Sequence, residues 1–321
     1  MAFKTPHIII VGAGLGCLML AQALRKRGIT FEIFERDEHE FARQQGWALG
    51  LHSILPEIQS GVPDDLPPIE SAVNHLEPLK LPAQFACYIN GLRLAVISGP
   101  DTLVLRANRN RLRRWLATNI PITYGKQAVG IEEAEDVATV HFRDGTRASG
   151  DIVVGADGTN SYVREYLLSR PNKETLRTNP FAVIVGETTL ARVEFERQLS
   201  LSHSAYLGVS DSQTLSIFAG LDKVSEDGKT GDYYWYMMIK DGHTDNPDHW
   251  TKHATRAERL AKALEYGKQL DDRFTEIIKL TPEEGIRTDA FSFRDAEIPE
   301  HEVKRGRVTM LGDAAHPMAP C

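Results

Sequence analysis

The chain has 321 residues, of which 42% are hydrophobic and 25% charged, with a formal net charge of −7 and a pI near 5.9. These values exclude a disordered chain and argue against a dedicated nucleic-acid binder, and they leave material for one large or two smaller domains with a full core. Three cysteines, Cys17, Cys87 and Cys321, have neither disulfide-framework nor metal-ligand spacing, which predicts a reducing, cytoplasmic setting and no metal site.

The first stretch, MAFKTPHIIIVGAGLGCLMLAQA, imitates a signal peptide in its lysine, its apolar run and its Ala21-Gln22-Ala23 ending. The glycine spacing inside the run gives a better reading. Residues 8–11 are an apolar run of strand length, Gly12-x-Gly14-x-x-Gly16 follows at once, residues 18–27 predict a helix and residues 31–34 a second strand. In such a βαβ unit Gly12 permits the tight turn, Gly14 lets the backbone approach a pyrophosphate, and Gly16 lets helix and strand pack closely. The helix N-terminus offers its unpaired N–H groups to the phosphates. Glu35, at the end of the second strand, is placed to accept hydrogen bonds from an adenosine ribose. The unit predicts a dinucleotide and leaves NAD and FAD both open. Cys17 reads as a small packing residue at the helix start.

Next comes RQQGWALGLH (43–52), which is either a cofactor-approaching segment, with Gly46 and Ala48 as its small residues, or a strand-loop junction with Trp47 packed as core. In RANRNRLRRWLATNI (106–120), Leu112, Trp115 and Leu116 form one helical face, and Arg113 and Arg114 read as solvated charges on the other. The segment ASGDIVVGADGTNSYVREYLL (148–168) predicts a strand at 152–154, a turn through Asp157-Gly158 and a helix at 161–168 capped by Asn160 or Ser161. A simple NAD-dependent dehydrogenase has no need of it.

Between 171 and 290 the stretches FAVIVGETTL, SAYLGV, TLSIFAGL and YYWYMMIK predict strands of a largely antiparallel sheet, followed by a helix at 257–280 that Pro282 ends. Alternation puts Tyr234 and Tyr236 on one face and Trp235 on the other. Tyr206, Tyr234, Tyr236 and Trp235, with Arg192 and His203 as orienting groups, are the candidates for a substrate face. The last stretch, RVTMLGDAAHPMAPC, carries a strand at 308–311 into Gly312-Asp313 and a turn at His316-Pro317.

Three motifs, the first glycine fingerprint, Asp157-Gly158 with Arg164 downstream, and Gly312-Asp313, stand in the order seen in the FAD-dependent aromatic hydroxylases. The chain resembles these single-component flavoprotein monooxygenases, most nearly the salicylate-hydroxylase-like members common in fungal metabolism. The resemblance implies an α/β fold with a Rossmann-like, glutathione-reductase-like FAD-binding domain and an inserted, largely antiparallel substrate domain. It implies that residues 1–70, 105–170 and 291–321 form the FAD domain, and 71–104 with 171–290 the substrate domain.

By the same likeness Glu35 binds the adenosine ribose, Asp313 the flavin ribityl chain, and Arg109, an arginine three before Leu112, lies against the flavin and its phosphates. Arg106 and Arg111 compete for that last assignment. Gly46 and Ala48 mark where the chain passes the flavin, and the Asp157-Gly158 segment supports FAD and a transient visit of NADPH. The implied activity is hydroxylation of a small aromatic or polyketide-like substrate with NADPH or NADH and O2, through a flavin C4a-hydroperoxide. Arg192, Tyr206 and Tyr234 are the residues expected to meet the substrate; no nucleic acid and no stable membrane insertion are expected.

A flavin halogenase would carry a Trp-x-Trp-x-x-Ile segment, and none is present. In the family the loop after Gly-Asp continues into a glycine-containing segment and a long helix. The sequence reaches Cys321 before such a helix, so the expectation is either a piece of a longer protein or an incomplete gene product without efficient catalysis.

Overall fold

A strand that is apolar on both faces has to be covered on both. HIIIV at His7–Val11 is of that kind, and it lies inside a four-stranded parallel sheet ordered Val308–Met310, Ile152–Gly155, His7–Val11, Thr30–Phe34. The computed structural model describes residues 5–42, 46–51, 54–98, 105–289 and 292–318. Cys321 and parts of the 43–52 segment (43–45 and His52) lie outside them.

Side-chain alternation assigns the two faces of the parallel sheet. Ile8 and Ile10 join a core with Leu18, Ala21 and Leu24 of the helix Leu15–Lys26 and with Leu112, Trp115 and Leu116 of the helix Arg109–Leu116. Ile9 and Val11 turn the other way, into a core with Phe34, Val153, Val163 and Leu167. That side is covered by a three-stranded antiparallel sheet, Ala128–Glu133, Ala138–Phe142 and Arg147–Gly150, which the sequence reading did not anticipate.

The aromatic-rich strands build a separate six-stranded sheet, ordered Phe181–Ala191, Thr230–Lys240, Leu215–Val224, Ala205–Val209, Gln84–Ile89, Leu92–Ser98. Its neighbours are antiparallel except Ala205–Val209 and Gln84–Ile89, which run parallel. One face is buried beneath the helices Arg192–Leu201, Arg256–Gly267 and Asp272–Lys279, where Tyr206, Ile217, Tyr233, Trp235, Phe274 and Ile277 form the core. The other face carries Phe85, Leu207, Phe218, Tyr236 and Met238, all half-buried. The single helix expected at 257–280 is two. The first ends at Gly267, and Asp271 starts the second by accepting the Arg273 N–H at 3.0 Å.

The two sheet systems meet at Asn108. Its side-chain oxygen caps the helix Arg109–Leu116 by accepting the Arg111 N–H at 3.0 Å, and its amide nitrogen donates to the Asp222 carbonyl at 3.1 Å and carboxylate at 2.9 Å. Asp222 sits where the register of its strand shifts between Leu221 and Lys223, so a bulge aims it out of the ladder toward Asn108. Burial lifts its carboxyl from the ordinary 3.8 to about 6.

A carboxyl raised in this way destabilises the fold where it is ionised, so the cost is absent below about pH 4 and complete above pH 6. Asp222→Asn keeps an oxygen for Asn108 and removes the charge. It is expected to be more stable than the parent by about 2–3 kcal/mol at pH 8 and nearly equal to it at pH 4, as read from denaturant melts at the two pH values. A difference that does not grow with pH would contradict the assignment.

Candidate functional site

The strands of the parallel sheet end level, with Val11 opposite both Gly155 and Phe34 and Gly155 opposite Met310. The residues that follow each strand therefore gather on one edge, and there they line a cleft of about 720 Å3. Gly12, Gly14 and Gly16 follow the first strand, Glu35 the second, Asp157 and Gly158 the third, and Gly312 and Asp313 the last, with Gly46 and Arg109 completing the wall. Because the strands preceding Glu35 and Asp313 are the two edges of the sheet, the cleft spans roughly 14 Å of strand ends. That is an elongated site of the kind ligands take at the carboxyl ends of open α/β sheets. Ala48 lies beside it in a short strand, paired with Asn108, and is not part of the wall.

The donor set fits a dinucleotide. Gly14 precedes the helix Leu15–Lys26, which has no side-chain cap and no acid in its first turn, so its terminal N–H groups are left to an anion. A Cβ on Gly14 would meet nothing within 4 Å. At Gly12, whose φ is 108°, a Cβ would fall 2.3 Å from the Ala156 carbonyl oxygen. Glu35 is buried, and its carboxylate accepts the Ala13 N–H at 2.6 Å and the Asp37 N–H at 3.0 Å, which fixes it at the rim of the fingerprint turn. Cys17 is fully buried and burial raises its thiol far above the ordinary range, in keeping with a packing residue.

Asp157 faces inward as much as toward the cleft. Its carboxylate accepts the Ser161 hydroxyl at 2.5 Å and the Tyr162 N–H at 2.7 Å, so it holds the start of the helix Tyr162–Leu168, and burial raises its pKa against those bonds. One turn on, Arg164 is 1% exposed. Its guanidinium donates to the carbonyls of Asp313 and Ala314, both at 3.1 Å, to the carbonyl of Thr159, and to the side chain of Asn172 at 2.8 Å through Nε. The Asp-Gly and Gly-Asp loops, about 150 residues apart in sequence, are thereby tied by one side chain.

The arginine-rich segment divides by direction. Arg109 reaches the cleft, and Gly46 leaves room for it, since a Cβ there would come within 3.2 Å of Arg109 Cδ. Arg111 turns to the Asn74 carbonyl at 2.8 Å. Arg113, expected as a solvated charge, is only 6% exposed and donates to the Ala13 carbonyl at 3.1 Å and the Glu40 carbonyl at 2.6 Å. It braces the fingerprint turn from beneath. Periodicity alone did not reveal it, because an arginine on a helix flank looks alike whether it meets water or backbone.

Trp47, Lys126, Thr159 and Arg294 also line the cleft, and sequence reasoning had not assigned them to it. Trp47 joins the cleft to the six-stranded sheet: its ring stacks on Tyr234 at 4.5 Å and 6°, and its Nε1 donates to Glu187 at 2.6 Å. Tyr234 accepts from Arg106 Nη2 at 2.5 Å. Tyr236 shares the face of Tyr234, stacked on Phe218, whereas Tyr206, Trp235 and Arg192 fall elsewhere. Tyr206 is 1% exposed on the helix-covered face, its hydroxyl bonded to Gln198 at 2.7 Å. Trp235 is buried on that same face, bonded to Thr281 at 2.8 Å. Arg192 is exposed at the start of the helix Arg192–Leu201, which covers that side. Nothing in the sequence distinguishes Tyr206 from Tyr234, because both sit in alternating aromatic strands.

The sequence comparisons agree with this geometry. A model of the NAD(P)-binding Rossmann-like domain matches residues 10–45. The FAD-dependent monooxygenase thnD of Trichoderma harzianum is 46% identical over 316 residues, covering 98% of this chain and 78% of that protein. The chain belongs to the FAD-dependent monooxygenases. The FAD-dependent monooxygenase dbaB of Emericella nidulans is similar at 29% identity, over 98% of this monooxygenase and 81% of its own length.

In fold, this monooxygenase is similar to the crystal structure of a putative FAD-containing monooxygenase from Photorhabdus luminescens, with a TM-score of 0.72 and 22% identity, covering 98% of this chain and 83% of that one. It is also similar to Klebsiella pneumoniae HpxO complexed with FAD and uric acid, with a TM-score of 0.70 and 19% identity, covering 97% and 73%. Among the described residues of the monooxygenase no helix is long and apolar enough to cross a membrane.

Arg164→Lys keeps the charge and loses the fork of donors. Faster amide exchange in residues 311–318 and a lower melting temperature are expected, with an FAD dissociation constant raised by about tenfold. Parent-like exchange in that loop would remove Arg164 from this role.

Proposed function

We propose that this monooxygenase uses NAD(P)H and O2 to hydroxylate an aromatic or polyketide-like substrate that lies on the half-buried face of the six-stranded sheet. We also propose that residues 71–104 and 171–290 form the substrate domain, and 1–70, 105–170 and 291–321 the FAD domain. The observation that carries the reading is the continuity from cleft to sheet. Trp47 lines the dinucleotide cleft and stacks on Tyr234, whose neighbours on that face are Phe218 at 5.9 Å and, beyond it, Tyr236.

FAD, when bound in the cleft, supplies the redox and oxygen-activating chemistry. In the proposed arrangement Glu35 takes the adenosine ribose hydroxyls, the N–H groups that follow Gly14 take the pyrophosphate, Asp313 takes the ribityl hydroxyls, and Arg109 complements the negative charge. Trp47 and Tyr234 present apolar faces toward the reacting end and keep water from it. Phe218 and Tyr236, stacked at 4.8 Å and 8°, offer π-faces to an aromatic ring.

Flavin titration of the purified chain tests the cofactor half of this reading. Glu35→Ala and Asp313→Ala are each expected to weaken FAD binding by about tenfold to a hundredfold, the worth of a charge-assisted hydrogen bond. Parent-like affinity in both variants sinks the assignment. NAD(P)H oxidation with a panel of phenolic acids, with hydrogen peroxide measured alongside, tests the rest. Tyr234→Ala is expected to raise the share of peroxide while leaving flavin content unchanged, and an unaltered share would remove Tyr234 from the pocket.

A further inference from the structure

Two short strands, Ala48–Leu51 and Leu105–Asn108, form a two-stranded antiparallel ribbon. A ribbon of two strands is marginal on its own. Leu51 and Leu105, paired at its far end, are anchored in the core shared with the helix Leu15–Lys26. The near end leads into two residues of the cleft wall, Trp47 and Arg109, and the Arg109 N–H closes it by donating to the Trp47 carbonyl at 2.7 Å.

That near end is gripped by the six-stranded sheet. Glu187, Tyr234 and Asp222 stand on three adjacent strands, with Glu187 opposite Tyr234 and Tyr234 opposite Gly220, two residues before Asp222. Together they make a row across the sheet. Glu187 accepts from Trp47 Nε1 at 2.6 Å, Tyr234 stacks on the Trp47 ring at 4.5 Å, and the Asp222 carboxylate accepts from the Asn108 amide at 2.9 Å. Asn108 is buried and accepts the Arg111 N–H, so the side chain that Asp222 holds is the one that starts the helix led by Arg109. Glu187 is braced in turn by Arg287 at 3.5 Å, whose backbone N–H donates to the Val185 carbonyl of the same strand at 2.9 Å.

We propose that Glu187 and Asp222 are positioning residues for the cofactor, through which the six-stranded sheet sets Trp47 and Arg109 in the wall of the flavin cleft. The inference rests on the reading that Arg109 and Trp47 border the flavin. Neither acid lines the cleft, so each acts through the residue it holds. What each contributes is an acceptor oxygen at a fixed place, and a neutral amide oxygen there serves as well as a carboxylate.

The test uses the full chain and two readouts, FAD titration and amide exchange of the flavin-free protein. Glu187→Ala and Asp222→Ala are each expected to raise the FAD dissociation constant by about threefold to tenfold, the net worth of one hydrogen bond. The effect of Asp222→Ala falls toward the lower end, because the Asp222 backbone carbonyl still accepts from Asn108 at 3.1 Å. Exchange is expected to quicken in residues 46–51 and 106–111 in both. Glu187→Gln and Asp222→Asn are expected to match the parent in affinity and in exchange. Thr281→Val, which removes the partner of Trp235 on the helix-covered face, serves as the control. It is expected to lower the melting temperature and leave both readouts unchanged.

Parent-like FAD affinity in the double variant Glu187→Ala/Asp222→Ala overturns the proposal, whatever its exchange. Weakened affinity without faster exchange in those segments overturns it as well. Equal weakening in the Gln and Asn variants would assign the effect to charge rather than position, and weakening by Thr281→Val would assign it to general stability; either result overturns the role. If the double variant does not fold, the two single variants decide on the same terms. Arg109→Gln separates this proposal from the reading beneath it. Weakened FAD binding there, beside parent-like alanine variants, removes the positioning role alone, whereas parent-like binding in Arg109→Gln removes Arg109 from the flavin and the proposal with it.

Discussion

One buried guanidinium holds the dinucleotide cleft together. The turn after Ile152–Gly155 and the turn after Val308–Met310 are loops on neighbouring strands, and loops of that kind move unless something fixes their backbones. Arg164 fixes both, because its planar fork takes carbonyls from each, and Asn172 and Glu165 close the cluster around it. Asp157 contributes by starting the helix on which Arg164 stands. The acid that looks like a ligand is then also a foundation: it places the arginine, and the arginine places the loop that carries Asp313.

The six-stranded sheet has two apolar faces, and what separates them is cover. Helices seal one with Phe274, Ile277 and Ala263, and there the tyrosines serve packing, the hydroxyls of Tyr88 and Tyr206 bonded inward to Leu201 and Gln198. The opposite face is sealed only in part, and its aromatic residues run up to Trp47 and the cleft. Gly220 permits this crowding, since a Cβ there would come within 2.8 Å of the Tyr234 ring. Where two residues share a strand pattern, position relative to those helices decides which is core and which is wall.

Local physics was readable in the sequence, and long-range physics was not. Gly12, Gly14, Gly16 and Glu35 belong to one continuous βαβ unit, and Gly312-Asp313 follows a short apolar run, so backbone geometry forced by neighbours in the chain announces them. The alternation of Tyr234 against Trp235 was equally plain, and the strands obey it. The register that brings Arg106 beside Tyr234 crosses 128 residues, and no pattern within either segment encodes it. Arg113 was misread for the same reason, its acceptor being Ala13, 100 residues earlier. The three-stranded sheet at 128–150 went unremarked because its strands are short and half polar, and the break between the helices at 256–279 because a single glycine and a capping aspartate were outweighed by an apolar stripe.

Two glycines of the fingerprint answer to different masters. At Gly12 the obstacle to a side chain is the protein itself, the Ala156 carbonyl on the adjoining turn; at Gly14 it is nothing within 4 Å. A descendant of this chain that ceased to carry a nucleotide would remain bound to glycine at position 12 for the sake of its own folding, while position 14 would be free to drift. The informative letter for lineage comparisons is thus the second glycine, and a glycine kept at the first would say only that the sheet edge is still built in the same way.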